Sequence, residues 1–293
     1  MSGATVSPPL RGGARLRWRR ITSVLGVASC ILAAGGVALV LILIVGYVIR
    51  EGIGAISIDF LTEIPHPLGV PGGGVANGIV GSLIIVGLAV VMAFPIGIMV
   101  GTYQSIHRNE RWAATLRFLS DVLASVPSIA VGLFAYTFLV APLHQFSALS
   151  ASFAFAVLMI PLVVRTTEGA LLMVPPEMRE AAVALGASEF QTVTRCLLVM
   201  ARPGIITGLI LALARVTGET APLLFTAFGS QFWEFHPGQP MAELSLQIFT
   251  YAISPYRSWH EQAWGGALLL IFAVFLLSVL ARSSLRRRSM AQR

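Results

Sequence analysis

REAAVALGASEFQTVTRCLLVMARPGIITGLILALARVTGETAPLLFTAFG, residues 179–229, is the stretch that decides the fold. It opens on a short polar segment, residues 179–186. It closes on an apolar run, residues 204–228, with Arg215 and Glu219 set in its middle. The first half has the composition of a helix lying in water. The second is long enough to cross a bilayer core, which takes about 20 residues. The chain must therefore carry a surface element and, directly after it, a membrane-buried one.

Composition extends that reading to the whole chain. Hydrophobic residues make up 56% and charged residues 11% of the 293 residues, and mean hydropathy is +0.82. Soluble domains carry roughly 25% charged residues. Five further apolar runs, residues 21–49, 78–103, 118–141, 149–164 and 264–281, join the one at 204–228. Helices are the expected form, because within hydrocarbon only a helix or a closed barrel satisfies its own backbone. The fold class is thus all-α and polytopic, with six transmembrane helices. The expected organisation is a basic tail at residues 1–20, a membrane domain over 21–282 and a second basic tail at 283–293. Arg19-Arg20 resembles a twin-arginine signal, and residues 27–30 resemble a lipoprotein cleavage box. The uncharged run that follows is too long for a signal h-region of about 7–15 residues. A retained first span is expected.

The arginines orient the chain. All 20 basic residues are arginine. Under the six-span reading, 17 fall in the two tails and in the loops after the second and fourth spans; Arg50 and Arg257 face the other side, and Arg215 lies within a span. Positive residues mark the cytoplasmic face, so both termini are expected there, in a cell membrane. The net charge of +7 then describes topology and contact with anionic lipid, and nucleic acid is not an expected partner. Aromatic residues at Phe232, Trp233, Phe235, Tyr251, Tyr256 and Trp259 suit the outer membrane–water boundary, and residues 244–252 could form a short outer helix.

Several chemistries are excluded. Without lysine there is no P-loop and no Schiff-base chemistry. His260-Glu261 begins a HExxH pattern, but Trp264 stands where the second histidine belongs, so no metal site is expected. Cys30 and Cys196 have no ligand cluster around them. No nucleophile–base pair lies in the spans, so no catalytic residue is assigned.

Residues 165–203 form the longest stretch on the basic face. Pro175-Pro176 suits the first turn of a helix, and Gly186 fits the residue after its end. Ser188-Glu189-Phe190-Gln191 is a capping-box pattern for a second helix. Spacing alone leaves open whether this is a docking element or an ordinary amphipathic loop. Glu180-Ala181-Ala182, followed after three residues by Gly186, resembles the EAA loop of ABC-importer permeases. The resemblance implies a coupling helix that enters a cleft of a cytoplasmic ATPase. The family's later proline is replaced by Val199, which leaves the local bend open.

Arg215 and Glu219 are four residues apart, one helical face if the helix continues. Thr217 and Thr220 add hydroxyls beside Gly218 and Pro222. A charge at mid-membrane costs about 2.5–3.5 kcal/mol on insertion scales. Two readings remain at this point: a self-neutralising pair that holds helices together, or a polar path for an anion. The wording of residues 214–227 closely resembles PstA-type phosphate permeases, as do residues 60–63 and 126–129. This resemblance implies a permease subunit of an ATP-driven importer of inorganic phosphate. Its implied partners are a second, PstC-type permease, two ATPase subunits and a phosphate-binding protein. ATP and Mg would be used by the ATPases, with no cofactor bound by this chain. An ion-coupled secondary carrier, or a permease for another oxyanion, are the alternatives; the first would need no cytoplasmic docking loop.

Overall fold

The computed structural model describes residues 13–67, 70 and 72–290. The basic tail up to residue 12 and the last three residues lie outside this range. The chain divides into two units, Met1–Arg50 and Glu51–Arg293. The described part of the first is helix α1 (Gly13–Gly52), which runs just past the boundary. Its apolar side chains from Ile21 to Tyr47 are largely exposed, as befits a helix whose surroundings are lipid. Residues 13–20 of the expected basic tail are already helical.

The second unit begins with a short helix, α2 (Ile58–Thr62), capped by the Ser57 hydroxyl. Then come α3 (Ala76–Ile106), α4 (Arg111–Ser125), α5 (Ser128–Leu143), α6 (Ala148–Leu172), α7 (Pro176–Ala184) and α8 (Glu189–Val216). A four-residue turn of helix, α9 (Leu223–Thr226), precedes the predicted outer helix α10 (Leu244–Ala252) and the last helix α11 (Arg257–Met290). Five helices are long and apolar enough to cross a membrane, and α4 with α5 makes a sixth if that bent pair counts as one span.

Three expected spans change shape, each for a local reason. The third is not one helix over 118–141: α4 and α5 meet at 99°. Val126, forced out of the helical region by the following proline, is extended at φ −64, ψ 131. The fourth does not stop at Arg165. It continues to Leu172, because Arg165 pairs with Asp121 and Glu168 meets Arg117, at 2.5 Å between Oε1 and Nε. The fifth starts at Glu189 instead of residue 204 and ends at Val216 instead of 228.

The core is a three-helix seam of α3, α6 and α8. Ala89 and Ala93 of α3, Phe155, Met159 and Val163 of α6, and Ala212 and Val216 of α8 are all buried in one cluster. Small residues set the distance between axes, as is common where lipid removes the hydrophobic drive for helix association. A β-carbon at Gly101 would lie 2.6 Å from the carbonyl oxygen of Val164, and one at Gly208 would lie 2.0 Å from the Thr166 hydroxyl. Overpacking of this kind costs roughly 1–3 kcal/mol. Gly208→Val is therefore expected to lower the thermal midpoint of the purified protein. Gly87→Ala, on the open side of α3 where nothing lies within 4 Å, should leave it unchanged or slightly raised; equal melting of both variants would contradict the seam.

Candidate functional site

The expected solute residues gather at the end of α8. Gly208 sits against Thr166 and Gly204 against Ala170, so α6 and α8 run antiparallel in fixed register. Continued for about two turns, that register sets Arg215 level with Met159, close to the midpoint of α6. Here the helix stops. The Thr217 amide still bonds to the Leu213 carbonyl at 3.0 Å and the Glu219 amide to that of Val216 at 3.0 Å, but Gly218 and Pro222 take the chain out of helical conformation. The second half of the expected fifth span is an irregular run, residues 217–222, followed by α9. That half is fixed to the start of α6 by the Ser147 amide, which donates to the Thr226 carbonyl at 3.0 Å.

Arg215 and Glu219 are consequently not stacked on one helical face. No ion pair joins them. Arg215 is exposed at the edge of the buried stripe of α8 that carries Ala212 and Val216. No hydrogen bond or ion pair holds its guanidinium among the described residues. Glu219 is half-buried, as are Thr217 and Thr220. The Thr217 hydroxyl donates back to the Leu213 carbonyl at 2.7 Å, which helps close the helix end. The break is packed from outside the span by α5: a β-carbon at Gly132 would lie 2.6 Å from Cα of Pro222.

Sequence reasoning missed Glu243. It is fully buried and caps α10, accepting from the Leu246 amide at 3.0 Å. The Ser82 hydroxyl donates to its Oε1 at 3.1 Å, and the Ser245 oxygen lies 2.6 Å from its Oε2. Burial pushes this carboxyl above its ordinary range, against the opposing effect of those hydrogen bonds. The visible signal was an acidic residue just ahead of a short apolar helix, a common N-cap pattern. Glu243 also lines a cavity of about 210 Å³ with Phe228, Gly229, Gln247, Tyr251 and Trp259, directly after the irregular run.

At the other end of the helices, α3, α4 and α6 enclose a space of about 550 Å³. Arg117 holds Glu168 there and donates to the Gln104 carbonyl at 2.7 Å. Among the described residues, no three His, Cys, Asp or Glu side chains form a metal-binding group.

The loop after α6 folds as helix, tight turn, helix. Helix α7 ends in a Schellman pattern: the Gly186 amide bonds to the Val183 carbonyl at 2.9 Å and the Ala187 amide to the Ala182 carbonyl at 3.1 Å, with Gly186 at φ +82 as such an end requires. The capping box is complete, with Ser188 and Gln191 bonded reciprocally at 3.3 and 3.1 Å. Arg179 reaches Glu189 at 3.4 Å across the turn. Glu180 and Ala181 are exposed, Ala182 is half-buried, and Leu185 and Phe190 stand 90% and 77% exposed.

Comparison with known proteins follows the same lines. Residues 93–288 match the family described as binding-protein-dependent transport system inner membrane component. The phosphate transport system permease protein PstA of Yersinia pestis is 43% identical over 235 residues, 80% of each chain. That of Xylella fastidiosa (strain Temecula1) is 45% identical over 243 residues, 82% of this chain and 84% of the relative. PstA 1 of Mycobacterium tuberculosis (strain H37Rv) is 39% identical over 213 residues, 71% of this chain and 68% of the relative. Among solved structures, a chain of the inward-facing MetNI methionine ABC transporter shares the fold, with a TM-score of 0.59 at 21% identity over 73% of this chain and 94% of that one. The chain belongs to the family of binding-protein-dependent transport system inner membrane components.

Proposed function

We propose that this chain is a membrane permease subunit of an ABC importer of inorganic phosphate, forming the translocation path with a second permease subunit. The observation that carries the reading is Arg215, unpaired and exposed at a helix break near mid-span. Phosphate as the solute is supported by the names of the relatives at 39–45% identity. Ionisable groups within a span are rare and commonly mark solute paths, and this guanidinium has no carboxylate partner among the described residues of its own chain. It suits an anion, which it can meet with two parallel donors. Two ATPase subunits would bind ATP and Mg and engage α7 through Glu180, Ala181 and Ala182. A phosphate-binding protein would deliver solute from outside, and a PstC-type chain would complete the path.

Because no partner within this chain depends on Arg215, its removal strands no charge. Arg215→Gln is expected to insert, assemble with the ATPases and lose phosphate uptake by about 10- to 100-fold, the worth of a charge-assisted hydrogen bond. Arg215→Lys should recover only part of it, lacking the planar fork. Uptake by Arg215→Gln near the parent level, in reconstituted complexes of checked composition, would refute the solute path.

The docking surface is tested separately. Glu180→Gln, or Gly186→Val at its left-handed φ, should weaken ATPase association while leaving membrane insertion intact, since valine is strained there. Co-purification is the measurement, and full retention of the ATPase by both variants would remove α7 as the docking helix.

The orientation follows from the arginines. With Cys30 and Cys196 replaced by serine, cysteines at Ser2 and Arg288 should label only from the cytoplasm. One at Phe232, which is 73% exposed, should label only from outside. The reverse pattern would invert the topology.

A further inference from the structure

Ser245 sits where polar groups of two other elements converge. Its Oγ is 2.6 Å from Oε2 of Glu243 and 3.2 Å from the backbone oxygen of Glu219. Glu243 cannot drift. It is gripped by the Leu246 amide and by the Ser82 hydroxyl of α3, which in turn receives the Leu244 amide at 2.9 Å. Close approach reinforces the grip: a β-carbon at Gly81 would fall 1.9 Å from the Ala242 carbonyl oxygen. Residues 242–245 are thus anchored to α3, part of the buried seam.

Glu219 has no comparable anchor. Its carbonyl belongs to the irregular run after α8, where helical donors have ended. The Ser245 hydroxyl is the side-chain donor that reaches it. That hydroxyl is not needed for the cap of α10, because Glu243 itself accepts the Leu246 amide. The one proton of the Ser245 hydroxyl is shared between Glu243 Oε2 at 2.6 Å and the Glu219 carbonyl at 3.2 Å.

We propose that Ser245, oriented by Glu243, is a positioning residue for transport: its hydroxyl holds the turn at residues 217–220 so that Arg215 and Glu219 keep their place on the solute path. The proposal rests on the reading of that turn as part of the path. Glu243 and Ser82 act through Ser245 and do not touch the solute.

Two readouts test it in the complete reconstituted complex, with binding protein and ATPases present and both native cysteines replaced by serine. Ser245→Ala should raise the KM for phosphate by roughly fivefold, the loss of one ordinary hydrogen bond. In a Thr220→Cys background, without phosphate, it should also speed maleimide labelling at position 220 several-fold. Unchanged labelling overturns the inference by itself. Faster labelling with unchanged KM, where Arg215→Gln is inactive, overturns the role in transport. Normal uptake by Arg215→Gln overturns the underlying solute path instead, so the two failures are told apart. If Ser245→Ala does not assemble, Ser82→Ala frees Glu243 from α3 while keeping Ser245; it should give faster labelling, and unchanged labelling there overturns the proposal.

Discussion

A backbone amide in hydrocarbon has no water to bond with, yet this chain interrupts its helices inside the spans. The interruptions fall at Val126-Pro127 and at residues 217–222. Each is closed in part by local bonds. Val126 donates to Leu123, Thr217 to Leu213 and Leu223 to Thr220. Pro127 and Pro222 have no amide to satisfy. The second interruption also borrows from its neighbours: α5 packs on Pro222 through Gly132, and Ser245 reaches the Glu219 carbonyl. Non-helical backbone is tolerated at this depth only when it is buried in protein or lines a polar cavity. The tight seam of α3, α6 and α8 gives the break a rigid wall, and Arg215 stands exposed at its edge.

The arginines divide by what they meet. Arg117, Arg165 and Arg179 each have a carboxylate, on Glu168, Asp121 and Glu189 respectively. They join α4 to α6 and close the turn between α7 and α8. Arg215 has none. It lies in the last turn of α8, where the helix dipole presents about half a negative charge. The dipole stabilises the guanidinium without occupying its donors. It also weakens the attraction for an anion, which on the proposed solute path favours release.

Much of this was legible from residue order. Gly186 after Ala184-Leu185, and Ser188 three residues before Gln191, specified the helix, turn and helix after α6 down to their hydrogen bonds, because capping is local chemistry. Runs of apolar residues located the membrane helices for the same reason. The ends of the helices were less readable. Arg165 looked like a terminus because its partner, Asp121, is remote in sequence. Residues 204–228 looked like one span because apolarity says nothing of where a helix unwinds; the chain leaves the helix after Val216 and resumes it at Leu223. Glu243 escaped notice since its burial depends on Ser82, 161 residues away.

Helix α8 links the two functional ends directly. It runs without interruption for 28 residues, about 42 Å at the usual rise, from the docking turn at Ser188 to the break after Val216. Its cytoplasmic start contains a π turn, Thr192–Leu197, and then Pro203, the points at which a helix bends most readily. Immediately beyond, Gly204 and Gly208 press it onto α6. A push at the docking loop is therefore absorbed by bending only below that contact. Above it, α8 and α6 must move together. The irregular run at 217–222 is tied instead to α10 and α3 through Ser245 and Glu243.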